Sequence, residues 1–148
     1  MEELMKYSHK FSDAIHILAY LAIYKDGDLS SKAIAASVEA NASVIRNLMS
    51  DLRKAGLIES RQGVSGATLT KAPSDINLLD VYDAINMDHD LLHIDPKTNP
   101  KCVVGGNIQD TLNETYRQIQ SKATDEMRQI SLQDIIDGIT TRQAAKTK

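Results

Sequence analysis

Apolar positions recur at helical spacing over most of the chain, and one short stretch breaks to a different pattern. Between Ser12 and Lys25, the residues Ala14, Ile15, Leu18, Ala19, Leu21 and Ala22 form a wide stripe. A stripe that wide predicts a helix buried on most sides. Asp26-Gly27-Asp28 ends it, with Gly27 suited to a left-handed C-terminal position. Ser30 is then an N-cap for a short helix, Ser31 to Ser37, with Ile34 and Ala35 facing inward. Val38-Glu39-Ala40 makes a tight turn, and Asn41 caps a longer helix from Ala42 to Ala55. Val44, Ile45, Leu48, Met49 and Leu52 make its inner side. Ser43, Arg46, Asn47, Ser50, Asp51 and Arg53 face out, and Gly56 stops the helix.

The pattern then changes. Leu57 to Arg61 and Ala67 to Thr70 are short β-like runs around the turn-rich tip Gln62 to Gly66, which predicts a hairpin. Pro73 breaks the chain, and Asn77 caps a helix from Leu78 to Met87. Residues 88–106, with two prolines and a Gly pair, read as a connecting loop. From Asn107 a narrow stripe runs through Ile108, Leu112, Tyr116, Ile119, Ala123, Met127 and Ile130. A helix of about 20 residues, about 30 Å long, follows from that spacing. Its narrow stripe and polar flanks suit pairing with another helix, so Ile108, Leu112, Tyr116, Ile119, Ala123 and Met127 are expected at a dimer interface. Ser131 opens a short last helix ending near Gly138, and the residues after Thr141 look like a frayed tail.

The expected division is therefore a winged domain over 1–87, a connection over 88–106, a pairing helix and short last helix over 107–140, and a tail over 141–148. The fold class is mainly α with a small β-hairpin. Helix, short helix, turn, longer helix and hairpin are the parts of a winged helix-turn-helix, in which a short helix braces a longer one that enters the DNA major groove. Ser43, Arg46 and Asn47 share one exposed face near the start of the longer helix. Arg grips a guanine edge at two points and Asn an adenine edge. Asn41, Ser30, Ser31 and Lys32 lie at helix N-termini, where free N–H groups meet phosphate. Lys10 is a further phosphate candidate. The hairpin tip offers Arg61, Gln62, Gly63 and Ser65 to the backbone or the minor groove. A plain solvated helix face is the competing reading of the same residues.

Composition narrows the field. Aromatic residues are 4% of the 148, so the core must be aliphatic. The net charge of −3 excludes a protein that coats nucleic acid by bulk charge. Its distribution is uneven. Residues 1–71 hold 9 Lys and Arg against 8 Asp and Glu, a net of +1; residues 72–148 hold 8 against 12, a net of −4. No apolar run approaches a membrane span, and no secretory signal opens the chain, so the expected address is the cytoplasm. One cysteine excludes an internal disulfide framework and a cysteine-only zinc site. Enzyme signatures are missing: the Gly63-to-Gly66 tip lacks the Lys and helix of a phosphate loop. His89, His93, Asp95 and Cys102 are too broken by Pro96 to make a metal site, so no metal and no cofactor are expected.

The segments MKYSHKFSDAIHILAYLA and LRKAGLIESRQGVSGATL, followed by APSDINLLDVYDAI, resemble the Rrf-two family of bacterial transcription repressors, the iron–sulfur-cluster-regulator family. NPKCVVGGNIQDTL and ISLQDII are similar to its dimerisation helix and last helix, so the likeness covers nearly the whole chain. The resemblance implies a homodimeric, sequence-specific repressor that places one winged helix on each half-site of a palindrome. It also implies departures. Family wings carry a Gly pair and an aromatic residue where this chain has Ser65-Gly66-Ala67. Val44 and Arg46 stand where the family has Tyr and Glu in the recognition helix. Members that hold an iron–sulfur cluster use three closely spaced cysteines, and this chain has only Cys102. It resembles instead the cluster-free branch, which includes a repressor of cysteine metabolism.

Cys102 reads first as a buried, inert thiol, and second as a redox or effector group made reactive by Lys101. A small molecule or a protein is the expected effector, with the 88–106 connection as its place. Two rivals stand beside the repressor: a winged helix that binds proteins, and a thiol-based redox regulator acting through Cys102.

Overall fold

A computed structural model describes residues 2–85 and 90–147, with side chains from residue 9 onward. Helix α1, Glu2–Ile23, is the spine. Ala14, Ile17 and Leu18, all with no exposed surface, and the nearly buried Leu21 face the middle of the molecule. Helices α2, Ser31–Val38, and α3, Ala42–Lys54, pack against it, with Ile34, Ile45, Leu48 and Leu52 closing the core. Each buried Leu or Ile contributes about 1.5–3 kcal/mol relative to exposure. As the composition requires, aliphatic side chains dominate that core.

Local chemistry sets the ends of these helices. Ser30 Oγ accepts from Ala33 N at 3.2 Å, and Asn41 Oδ1 accepts from Ser43 N at 2.8 Å, so both expected caps form. Glu39 adopts φ 57 between α2 and α3, and Gly56 adopts φ 80 just beyond α3. Gly27 is not left-handed. Its N–H instead donates to the Tyr24 carbonyl at 2.7 Å, which closes the turn without a positive φ.

Strands β1, Ile58–Ser60, and β2, Ala67–Leu69, pair antiparallel, with Ile58 opposite Leu69 and Ser60 opposite Ala67. A 3-10 turn at Pro73–Asp75 leads into α4, Leu78–Ile85. Asn77 and Asp80 cap α4 reciprocally, each accepting the other's backbone N–H at 2.9–3.0 Å. Met87, the expected end of this helix, and His89 lie outside the described residues. Residues 90–106 form turns and bends without a regular element, as expected.

Helix α5, Ile108–Gln129, buries no residue. It leans on α4, where Gln120 Nε2 donates to the Tyr82 hydroxyl at 3.1 Å. The chain then returns to the winged part. Leu78 N donates to the Ile130 carbonyl and Leu132 N to the Ile76 carbonyl, at 2.9 and 2.7 Å. Helix α6, Leu132–Lys146, starts from a Ser131–Asp134 capping box and sends Leu132 and Ile136 into the same core as α1.

Two helices exceed expectation. Helix α1 starts at Glu2 and not at Ser12, because the run before Ser12 contains no Gly or Pro to break it. Helix α6 runs to Lys146, through the expected tail. RQAAK is rich in helix formers, and Arg142 Nη1 donates to the Gly138 carbonyl at 3.1 Å, spanning the weak glycine position.

Gly66 shows how the wing is held. It sits at φ +106, and a Cβ there would overlap the Leu29 carbonyl oxygen and carbon. Gly66→Ala should therefore lose at least about 1–3 kcal/mol of stability in urea unfolding. Gly63, at φ +75 in open space, should accept Asn within about 1 kcal/mol.

Candidate nucleic-acid interface

The site is assembled from three elements. Helix α3 is exposed along the side carrying Ser43, Arg46, Asn47 and Arg53. The N-terminus of α2 and the wing flank it. Between them lies a cleft of 280 Å³ lined by Ser30, Ser31, Arg46, Arg53, Ser65 and Gly66, with Met49 at its floor. Two guanidinium groups thus share an opening with three serines. Arg46 and Arg53 are seven residues apart, so they project from one face two turns from each other.

The expected residues divide into groups. Arg46 and Asn47 are exposed and form no hydrogen bond or ion pair with the described residues. Their side chains are free to engage a ligand. Asn41 and Ser43 are exposed but occupied with each other: Ser43 N and Ser43 Oγ both donate to Asn41 Oδ1, at 2.8 and 2.7 Å. They shape the start of α3. Arg61 is also engaged. Its Nη2 donates to the Ser65 carbonyl at 2.8 Å, and its Nε is buried without a partner. Arg61 therefore braces the wing tip across its own loop. Gln62 and Gly63 are exposed at that tip, while Lys10 is half-buried on α1 and outside the cleft.

Arg53 joins the cleft although nothing in its local sequence marks it beyond the outward side of α3. The i, i+7 relation to Arg46 is the available signal, and it becomes informative only once the wing closes over both.

Below α2, Asp28 Oδ1 accepts from Ser30 N at 3.0 Å. Hydrogen bonds from Ser30, first from its backbone and then from its side chain, hold the Asp28 carboxyl below its ordinary value of 3.8, with smaller help from Arg61 and Lys32. This bond sets the chain direction into α2.

Away from this face, Cys102 is exposed and not buried as expected. Backbone N–H groups of Gly105 and Val104 hold its thiol below the usual value; Lys101 is not among the causes. The tight turn of residues 99–106 creates this arrangement: Gly105 and Gly106 pass so close to Asn99 and Pro100 backbone that a Cβ would not fit. The expected interface residues Ile108, Leu112, Tyr116, Ala123 and Met127 are half-buried on α5, and Ile119 is 44% exposed.

The Rrf2 (Rrf-two) family model, described as an iron-dependent transcriptional regulator, matches residues 7–138. The chain belongs to the Rrf2 family. The HTH-type transcriptional regulator YwnA of Bacillus subtilis (strain 168) is 42% identical over 124 residues, covering 84% of this chain and 92% of YwnA. A crystal structure described as a DNA-binding protein shares 39% identity and superposes with a TM-score of 0.69, over 86% of this chain and 98% of that one. CymR, the global cysteine regulator of B. subtilis, has the same fold at a TM-score of 0.63 and 22% identity, covering 86% of this chain and 93% of that one. This Rrf2 chain is thus a winged-helix transcriptional regulator and not an enzyme. The iron in the family description finds no matching ligand set. One cysteine cannot supply three thiolates, and among the described residues no three His, Cys, Asp or Glu side chains come together.

Asp28 gives a pH prediction. Its folded pKa is depressed, so its contribution is present above the unfolded value and is lost as pH falls through the folded one. Asp28→Asn should therefore flatten the acid side of the stability profile below about pH 4, measured by thermal melting across pH.

Proposed function

We propose that this Rrf2-family regulator is a homodimeric repressor that binds a palindromic operator, with α3 in the major groove of each half-site. The cleft between α2, α3 and the wing carries this reading. It brings Arg46 and Arg53 to one opening beside Ser30, Ser31 and Ser65, a polar lining suited to the phosphates flanking an inserted helix. Arg46 and Asn47, free of internal partners, read base edges. Asn41, Ser43 and Arg61 set the geometry of α3 and the wing, and Ser30, Ser31, Lys32, Gln62 and Ser65 contact the backbone. No helix among the described residues is long and apolar enough to cross a membrane, and the protein acts in the cytoplasm on chromosomal promoters.

The half-buried stripe of α5 pairs with its copy in a second subunit and sets the half-site spacing. Its polar flanks and the acidic balance of residues 72–148 keep this arm away from phosphate. The exposed Cys102 favours a thiol-responsive version of the same regulator, since backbone N–H groups stabilise its thiolate.

Selection of genomic fragments by the purified protein should enrich a palindrome; no enriched site under any redox condition would defeat the repressor reading and leave a protein-binding winged helix. On the enriched site, affinity should fall steeply with salt. Arg46→Ala should cost about 1–3 kcal/mol and relax preference at one base pair, whereas Arg53→Ala should weaken all sequences alike and lower the salt slope by about 1. Ile119→Glu should convert dimers to monomers in sedimentation. Cys102→Ser should abolish any release of DNA by oxidant; release that persists unchanged would remove the thiol from the mechanism.

A further inference from the structure

Outside the nucleic-acid face, a groove of 630 Å³ lies between α1 and α6. Its volume lies in the range of small-molecule sites, about 300–1,000 Å³. Ile15 and Ile23 of α1 form one wall, and Ile135 and Ile139 of α6 form the other. At one end the rings of Tyr20 and Tyr24 stand 4.8 Å apart, tilted by 45°. Within the same lining, His16 Nε2 and Ser37 Oγ share a hydrogen bond of 2.8 Å.

The lining chooses its occupant. None of its residues is Asp, Glu, Lys or Arg. An ion entering this groove would lose water without gaining a counter-charge, a large penalty. A flat apolar molecule gains burial against four isoleucines and an offset contact with the tyrosine rings. The imidazole–hydroxyl pair gives such a molecule one place for a hydrogen bond. We propose that the groove is a binding site for a neutral, one- or two-ring aromatic molecule with a hydrogen-bonding substituent.

The site's position makes it regulatory, a part of the inference that rests on the repressor reading. Ser37 belongs to α2 and stands two residues before Glu39, the left-handed residue that turns the chain into α3. A ligand that engages the His16–Ser37 pair pulls directly on the brace of the recognition helix. Its other wall, α6, continues from the pairing helix α5. One occupant therefore touches both the DNA-reading unit and the end of the dimer arm. This gives effector control a second candidate place, the groove, beside the 88–106 connection.

The full-length protein can be titrated with N-phenyl-1-naphthylamine, a neutral probe that fluoresces when buried. The signal should saturate at one probe per chain. Neutral 2-naphthol should displace it at least tenfold better than naphthalene-2-sulfonate. Ile139→Glu and Ile23→Glu, which place a charge on opposite walls at exposed positions, should each weaken binding at least tenfold while melting temperature is kept. A signal that does not saturate, equal displacement by the sulfonate, or binding unchanged in both folded variants would overturn the site. Loss of probe binding in step with self-association would overturn it in favour of a second copy of the chain as occupant. On DNA enriched by selection, probe at a concentration that saturates each protein should change affinity at least fivefold in the unaltered chain and less than twofold in Ser37→Ala. An effect preserved in Ser37→Ala overturns the α2 link. Failure to enrich any DNA would count against the repressor reading alone, because the fluorescence measurements need no DNA.

Discussion

Two backbone hydrogen bonds, from Leu78 N to the Ile130 carbonyl and from Leu132 N to the Ile76 carbonyl, determine where the long helix can lie. Helix α5 has no buried residue of its own and shares only one side with α4. Without that stitch, among the described residues, only its contact with α4 and a few hydrogen bonds to Tyr82, Leu91 and Asp95 would hold it. With it, the chain is brought back at residue 130, and Leu132 and Ile136 enter the core built on α1. The cost of losing the stitch would exceed two hydrogen bonds. Each net bond is worth about 0.5–1.5 kcal/mol, but Ile76 and Leu132, both fully buried, depend on it for their positions. The same return creates the groove between α1 and α6.

Charge is arranged around this frame. The −3 of the whole chain hides a first half, carrying the proposed DNA face, that is close to neutral and an acidic second half. Near-neutrality suits a sequence reader better than a non-specific binder, since bulk positive charge would strengthen binding to every sequence alike. The cations that matter are few and differ in role. Arg61 is turned inward to hold the wing tip, whereas Arg46 and Arg53 stay unengaged in the cleft. Counting basic residues would treat all three as equivalent. The hydrogen-bond geometry separates a structural arginine from two available ones.

Features governed by neighbours along the chain are legible from residue types alone. The caps Ser30, Asn41, Asn77 and Ser131 are local, and each forms as its residue type demands. The hairpin follows from turn residues between short β-like runs. Gly27 shows the limit of that logic, because a glycine permits a left-handed turn without requiring one. The end of α6 is hidden because the polar helix formers after Thr141 carry no apolar period. Cys102 and Arg53 depend on tertiary placement. The first is exposed by a turn that two glycines allow, and the second comes to line a cleft only when the wing folds over α3. The groove is equally invisible in the sequence, since its walls lie more than a hundred residues apart in the chain.

That separation explains why the groove suits control. A ligand shifts an equilibrium only by the difference in its affinity for two states. Allosteric coupling typically amounts to about 1–3 kcal/mol, or about 5–150-fold. A site confined to α1 would bind equally well whatever the arm did. A site with one wall on α1 and the other on α6 is different. Tilting α6 relative to α1 moves Ile135 and Ile139 away from Ile15 and Ile23, and each gap of even about 0.5–1 Å forfeits roughly a quarter to a half of the dispersion contact, as a general rule of packing. Summed over four isoleucines and two tyrosine rings, such a change reaches the coupling range without any charged contact. Because α6 is joined to α5 at residues 130–132, the tilt that the proposed ligand would oppose is the motion that would alter the spacing of the two heads in the proposed dimer.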